Sequence, residues 1–281
     1  MKRLKKASIK KPLIIIIDII LLIVSIIAYK YIYEVEVGKQ IYSEEAVRFV
    51  EENKEPVFKI GKIILYSSAN AIDNSNGLLK NFDISQFTDI EIYIDNTTKN
   101  KEITAENTIS ELYIDNIKIS GAQDSGEKVI NYKNPLECGK YVDIDNFRED
   151  GILFKIVNSN KKNQSADYNE PVFYTDCSNP ISLGYINKNI LTNCELTANS
   201  GSISFDGSIL RSANIGIENL KTTISFTIHL KNNYNEEFVC NVKIDNDLES
   251  EEENDGIYTG YIMKIIENKE DEYNFLKTSN R

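Results

Sequence analysis

Apolar and polar residues alternate with a period of two over much of the chain, a pattern that is typical of β-strands. The alternation is clearest at residues 222–231. One face of this run carries Ile224, Phe226, Ile228 and Leu230. A second alternating run, at 238–244, follows a turn-rich segment at 232–237. The two runs therefore predict a β-hairpin.

Shorter alternating or apolar runs predict further strands. They lie at residues 57–66, 87–95, 111–120, 151–157, 172–175, 181–186, 202–205 and 257–266. Because turn residues separate these runs and no helical pattern alternates with them, we predict a mainly β fold, an antiparallel β-sandwich. We place this domain at 57–268, and the polar stretch 158–170 leaves open a division into halves at 57–157 and 171–268.

The N-terminal segment has a different pattern, because residues 12–33 are almost wholly aliphatic. As a helix, the stretch from Leu13 to Tyr33 would extend about 31 Å, close to the hydrocarbon thickness of a bilayer. This predicts a single transmembrane helix at 12–33, with membrane lipid as its partner. Basic residues fill the tail at 1–11 and acids follow the span. The positive-inside rule then predicts a cytoplasmic N-terminus and an extracytoplasmic C-terminal domain at the cell membrane.

A cleaved signal peptide would also combine a basic region with an apolar core. The segment lacks a small-x-small cleavage site, since a cut after Ala28 would place Ile26 at the −3 position. We therefore interpret it as an uncleaved signal anchor. Asp18 is the one acid within it, and we interpret this residue as an acid tolerated near the interface. A polar contact between Asp18 and another membrane helix is the alternative.

A short helix or stalk is predicted at residues 34–56, between the span and the β-domain. Ser43 is suited to N-cap this helix, and Pro56 would end it. At the other end of the chain, residues 269–281 are interpreted as a polar tail.

The charge of the chain restricts its partners. Residues 34–281 carry 25 Lys and Arg against 42 Asp and Glu, a net charge of −17. Such a surface repels nucleic acid, so we expect no nucleic-acid partner. We interpret the negative charge as a source of solubility beside a membrane, with attraction of cations or basic partners as the alternative. The chain has four cysteines, Cys138, Cys177, Cys194 and Cys240. No two of them have the C-x-x-C spacing, which disfavours a zinc ribbon. Whether they form disulfides or remain free thiols is left open by their spacing.

Motifs for catalysis are missing from the sequence. The segment from Ile190 to Cys194 resembles the T-L-x-T-C strand of the sortases, which are membrane-anchored transpeptidases that use a Cys, a His and an Arg. The single histidine, His229, follows Cys194, whereas the sortase histidine precedes its cysteine. No G-x-S-x-G, P-loop or G-x-G-x-x-G occurs, so we expect neither an enzyme nor an organic cofactor, and we interpret His229 as a solvated strand residue.

Acidic residues after the predicted hairpin resemble the start of a calcium-binding loop. The candidate ligands are Asp245, Asp247, Glu249 and Asp255. The sixth and twelfth positions depart from the EF-hand pattern, since they hold Ser250 instead of Gly and Gly256 instead of Glu. We interpret this stretch as a solvated acidic loop, with a Ca²⁺ site as the alternative.

Together these patterns favour a non-enzymatic, single-pass cell-surface protein whose β-sandwich binds a protein or an envelope component. One alternative is an accessory subunit of a membrane protein complex, in which the anchor pairs with a partner helix. The other is a carboxylate-dependent hydrolase, which would need two facing acids roughly 5 to 10 Å apart in a cleft.

Overall fold

A computed structural model of the chain describes most, but not all, of its residues. Described are residues 10–76, 80–97, 104–121, 126–136, 140–142, 147–148, 151–158, 168–195, 208–216, 219–246, 262–268 and 272–278, without the side chains of 10–18, 52, 147–148, 208, 246 and 262–264. The chain divides after Lys54 into two compact units. The first unit is helical and the second is built of β-strands.

One continuous helix, α1, spans Lys10–Glu52. The prediction of a separate helix beginning at Ser43 is wrong, because Ser43 lies inside α1. Residues 34–42 contain no proline that would interrupt the helix before Ser43. Pairs three or four residues apart also support the helix, such as Lys30 with Glu34 and Lys39 with Glu36. The helix ends as expected before Pro56.

Among the residues whose side chains are described, no helix combines the length and the apolar character that a membrane crossing requires. The transmembrane helix predicted at 12–33 is therefore not supported by the structure. Its residues 12–18, including Asp18, lie outside the described side chains.

The second unit is mainly β, as predicted, and consists of two sheets. The first has six strands in the order β12-β1-β2-β9-β4-β5, and all of its neighbours are antiparallel. In chain order these strands are β1 (Phe58–Asp73), β2 (Phe82–Asn96), β4 (Glu127–Lys133), β5 (Tyr141–Val142), β9 (Ile181–Cys194) and β12 (Ile262–Glu267).

The second sheet has seven strands, with β13-β11-β10-β3-β7-β6 in order and β8 beside β7. In chain order they are β3 (Ile109–Gly121), β6 (Phe147–Arg148), β7 (Gly151–Val157), β8 (Val172–Tyr174), β10 (Thr222–Asn232), β11 (Glu237–Asn246) and β13 (Leu276–Lys277). The pair β7–β8 is parallel, which the prediction of a purely antiparallel fold did not include. The predicted hairpin is confirmed as β10–β11, in which Ile224 pairs with Ile244 and Leu230 with Phe238.

Both sheets contribute buried side chains to one main hydrophobic core. Ile63, Ile90 and Leu183 come from the six-stranded sheet, and Leu112 and Ile228 come from the seven-stranded sheet. Strands from both parts of the chain, before residue 158 and after residue 170, pair within each sheet. The predicted strand at 202–205 lies outside the described residues.

A second, smaller core lies farther along β1, β2 and β9, where Ala71, Ile84 and Ile190 pack with Ile209 and Leu210. The last two residues belong to a short helix, α2 (Ser208–Ser212). Between the two cores, the inward positions of the same three strands are polar. We call these residues the polar belt: Ser67, Gln86, Thr88 and Asn187.

Candidate functional site

A largely covered cluster of charged side chains lies on the outer face of the six-stranded sheet. Ile90 and Ile92 of β2 point into the main core, so strand alternation places Asp89 and Glu91 on the opposite face. Lys133, at the end of β4, lies on this face too, because the neighbouring Tyr132 is part of the core. Strand β9 runs between β2 and β4 and brings the three charges together.

Lys133 forms ion pairs with both acids. Its Nζ lies 2.8 Å from Asp89 Oδ2 and 3.2 Å from Glu91 Oε1. The three side chains are only 12 %, 11 % and 18 % exposed for Lys133, Asp89 and Glu91. Charges that are this deeply covered interact more strongly than a surface pair, because less water screens them.

Two neutral groups complete the arrangement. The Ser182 hydroxyl donates to Glu91 Oε2 at 2.5 Å, and the Tyr141 hydroxyl donates to Asp89 Oδ1 at 3.0 Å. The Tyr141 ring stacks on Phe87 with a centroid distance of 5.6 Å. We call Asp89, Glu91, Lys133, Tyr141 and Ser182 the Lys133 cluster.

Glycine is required beneath the Tyr141 ring. Gly184 of β9 pairs with Asp89, and a Cβ at residue 184 would lie 1.9 Å from a Tyr141 ring carbon. The absence of a side chain at Gly184 therefore lets Tyr141 lie close to the sheet, where its hydroxyl reaches Asp89.

Burial and charge act in opposite directions on the ionisable groups of the cluster. Burial raises the pKa of Glu91, against the lowering effects of Ser182 and Lys133. Burial alone would lower the pKa of Lys133, but its hydrogen bonds and charge interactions with Asp89 and Glu91 raise it overall. The surroundings of Lys133 thus favour its cationic form.

Exposed apolar side chains flank the cluster on the same face. Tyr66 pairs with Asp89 across β1 and β2 and is 40 % exposed. Ile265 of β12 pairs with Ile64, which in turn pairs with Glu91, and Ile265 is 54 % exposed. A charged cluster and an apolar edge therefore lie side by side on neighbouring strands.

Of the four calcium candidates, Asp245 is the one that lies within the described residues. Asp245 forms a hydrogen bond with Thr223 and an ion pair with Lys243. The candidates Asp247, Glu249 and Asp255 lie outside the described residues. Within the described ranges, no group of three or more His, Cys, Asp or Glu side chains is arranged to hold a metal ion.

His229 lies on the outer face of the seven-stranded sheet, and sequence analysis anticipated its position on the polar side of a strand. Its Nε2 lies 2.9 Å from Asp115 Oδ1, and its ring stacks on the Tyr113 ring with a centroid distance of 4.3 Å. Both partners are on β3, the strand next to β10. His229 is therefore part of a local polar row and not the fully solvated side chain that we predicted.

The described cysteines, Cys177, Cys194 and Cys240, are free thiols, and Cys138 lies outside the described residues. Burial raises the pKa of Cys240 to about 12. Burial, with Asp176 and Asp95 nearby, also raises the pKa of Cys177 to about 12. Both thiols are therefore protonated at neutral pH and poor nucleophiles.

Sequence analysis did not find the Lys133 cluster, because its members are far apart in the chain and β4 was not predicted. The acids at the polar positions of the alternating run 87–95 were the one available signal. Comparisons of the chain with protein-family models, with curated proteins and with solved structures gave no match.

Proposed function

We propose that the protein is a non-enzymatic, single-pass membrane-anchored cell-surface protein whose β-domain binds a basic protein partner. In this proposal the partner binds the outer face of the six-stranded sheet. The observation that carries it is the pairing of the Lys133 cluster with the exposed Tyr66 and Ile265 on adjoining strands. Tyrosine is enriched in binding hot spots, and interfaces combine an apolar centre with a polar rim.

Charge complementarity favours a basic partner. Residues 34–281 have a net charge of −17, which would attract such a partner over a distance and speed its association. Within the Lys133 cluster, two carboxylates share one lysine, so the cluster is acidic overall. This negative charge would favour an arginine or lysine of the partner beside this face.

The chemistry of the cluster supports binding over catalysis. Ser182 is 2 % exposed and donates its proton to Glu91, so it is not presented to a substrate. A general base would need a pKa near the working pH, whereas the pKa of Lys133 is raised.

The proposed anchor is supported by the sequence of residues 12–33 and by the basic tail before it. In the described part of α1, the large apolar side chains from Ile19 to Ile27 are each more than half exposed, which is the surface that lipid would cover. External protease added to sealed cells should remove the β-domain, and full protection would contradict this orientation.

Cross-linking on intact cells tests the binding face. We expect replacement of Tyr66 and Ile265 by serine to reduce cross-linking to the partner about tenfold, a loss of about 1.4 kcal/mol. Tyr234→Ser is the matched control, because Tyr234 is 64 % exposed but lies in the β10–β11 turn of the other sheet. Equal loss in the control, or full cross-linking by the double variant, would contradict the proposal.

A further inference from the structure

We propose that Lys133 and Asp89 become joined by a covalent amide bond between their side chains, with Glu91 as the group that carries the protons. This is a site of self-modification, and it does not rest on the proposed binding function. The starting observation is the contact of 2.8 Å between Lys133 Nζ and Asp89 Oδ2 in a largely covered site.

The geometry brings a nucleophile to an acyl carbon. Asp89 Oδ2 is bonded directly to Cγ, the carbon that the lysine nitrogen would attack, so the reacting atoms are close to an attack distance. The contact is fixed by the sheet, because β2 and β4 are both paired to β9 and hold Asp89 and Lys133 on its two sides. Positioning of this kind replaces an improbable encounter with a local reaction.

Glu91 is placed to move the protons. Its Oε1 lies 3.2 Å from the same lysine nitrogen, and its Oε2 accepts a hydrogen bond from Ser182. Burial raises the pKa of Glu91, so protonation of this carboxyl costs less than it would in water. Transfer of a proton from Lys133 to Glu91 leaves both groups neutral, gives Lys133 the lone pair that attack requires, and stores a proton on Glu91 for the leaving oxygen.

The reaction balances without an added reagent. The neutral Lys133 nitrogen attacks Asp89 Cγ, a C–N bond forms, and the bond between Cγ and Oδ2 breaks. Two of the three ammonium protons leave with Oδ2 as one water molecule after passing through Glu91, and the third remains on the amide nitrogen. Nothing is oxidised or reduced, and Glu91 returns to its carboxylate form.

Tyr141 is placed to stabilise the intermediate of this step. Its hydroxyl donates to Asp89 Oδ1 at 3.0 Å, the oxygen that gains negative charge during attack and remains as the amide carbonyl. Gly184 permits this contact, since any Cβ at residue 184 would collide with the Tyr141 ring.

A second ion pair provides a comparison within the same chain. Lys155 Nζ lies 2.5 Å from Glu170 Oε1, but the two side chains are 58 % and 37 % exposed. A short contact alone is therefore not sufficient for reaction, because water stabilises the charged forms of both groups there.

Intact mass spectrometry of the full-length, denatured protein tests the proposal. We expect the wild-type chain to weigh one water molecule less than its sequence, and fragmentation to find the peptides of Asp89 and Lys133 joined. Lys133→Arg and Asp89→Ala should each restore the full mass, whereas the control Lys155→Arg should keep the loss. A wild-type chain of full mass, or a joined peptide pair at other residues, would overturn the proposal, and this readout needs no variant to fold.

Glu91→Gln tests the proton carrier separately, because it keeps both reacting groups. We expect this variant to retain the full mass. Loss of water at the wild-type rate in Glu91→Gln would overturn the role assigned to Glu91.

Discussion

Two completely buried asparagines, in two regions of this molecule, differ in the hydrogen bonds of their side chains. Asn232 and Asn187 both have an exposure of 0 %. Asn232 lies at the turn between β10 and β11, and Asn187 lies in the polar belt between the two cores. Their hydrogen bonds, not their burial, distinguish them.

Every polar atom of the Asn232 carboxamide has a partner. Its Oδ1 accepts from the backbone N–H groups of Tyr234 and Glu236, both at 2.9 Å. Its Nδ2 donates to Glu106 O at 3.0 Å and to Glu236 Oε2 at 2.8 Å. The side chain thereby replaces the backbone hydrogen bonds that a tight turn leaves unmade.

Asn187 has the opposite environment. It pairs with Gln86 across β2 and β9, and neither Oδ1 nor Nδ2 of Asn187 has a partner among the described residues. Gln86 Oε1 is also without one in that part of the chain, although Gln86 Nε2 donates to Ser67 Oγ at 3.1 Å. A turn thus supplies hydrogen-bond partners from residues nearby in the sequence, whereas the interior of a sheet must obtain them from distant strands.

The largest change in the free energy of unfolding should come from Asn232→Ala. We expect the free energy of unfolding to fall by about 3 kcal/mol, because two backbone N–H groups in the turn and the Glu106 carbonyl lose their partner together. Urea denaturation of the full chain measures this change. A loss below about 1 kcal/mol would show that water replaces the carboxamide in the turn.

A smaller effect of opposite sign should come from Asn187→Leu. We expect the free energy of unfolding to rise by about 1 kcal/mol, because a buried carboxamide without partners is replaced by an apolar side chain of similar size. Asn241→Leu, at an exposed position on β11, is the matched control and should change stability by less than about 0.5 kcal/mol. Destabilisation by Asn187→Leu would show that the carboxamide is hydrogen-bonded beyond the described residues.

The smallest effect concerns the ion pair that borders the turn. Lys277 Nζ lies 2.6 Å from Glu236 Oε1, and hydrogen bonds from Lys277 and Asn232 lower the pKa of Glu236. A carboxyl with a lowered pKa stabilises the fold above its unfolded pKa of about 4.3, and this stabilisation disappears as the pH falls through the lower folded value.

We therefore expect Lys277→Met to cost about 0.5 kcal/mol at neutral pH, since both side chains are partly exposed and water screens the pair. Denaturation curves of the wild-type and Lys277→Met chains should converge as the pH falls below about 4. A difference that stays constant across this pH range would mean that packing of Lys277, and not its charge, is responsible.

The hairpin and the sheets could be predicted where the pattern is local. Residues 222–231 and 238–244 each alternate without interruption, and each inward residue in these runs is buried. The Lys133 cluster could not be predicted, because Asp89, Lys133 and Ser182 meet only when β9 inserts between β2 and β4. Strand pairing over such distances depends on the whole fold and not on the period of any one segment.

Asparagine occupies most of the left-handed backbone positions that non-glycine residues adopt in the described chain. Seven non-glycine residues in the described chain have a positive φ, and six of them are asparagines, the exception being Cys177. Asparagine tolerates this left-handed conformation better than most residues, because its short side chain bonds to the local backbone. Several strand ends and turns in this protein thus use asparagine where glycine is common.

The insertion of β9 between β2 and β4 also sets an order of events during synthesis. Strand β2 ends at Asn96, but its neighbour β9 begins only at Ile181, so 85 residues must be added before the inner edge of β2 can be paired. At ordinary translation rates this takes roughly 4–17 s. During that interval the nascent β1–β2 hairpin presents an open edge, at which mispairing with another strand can occur.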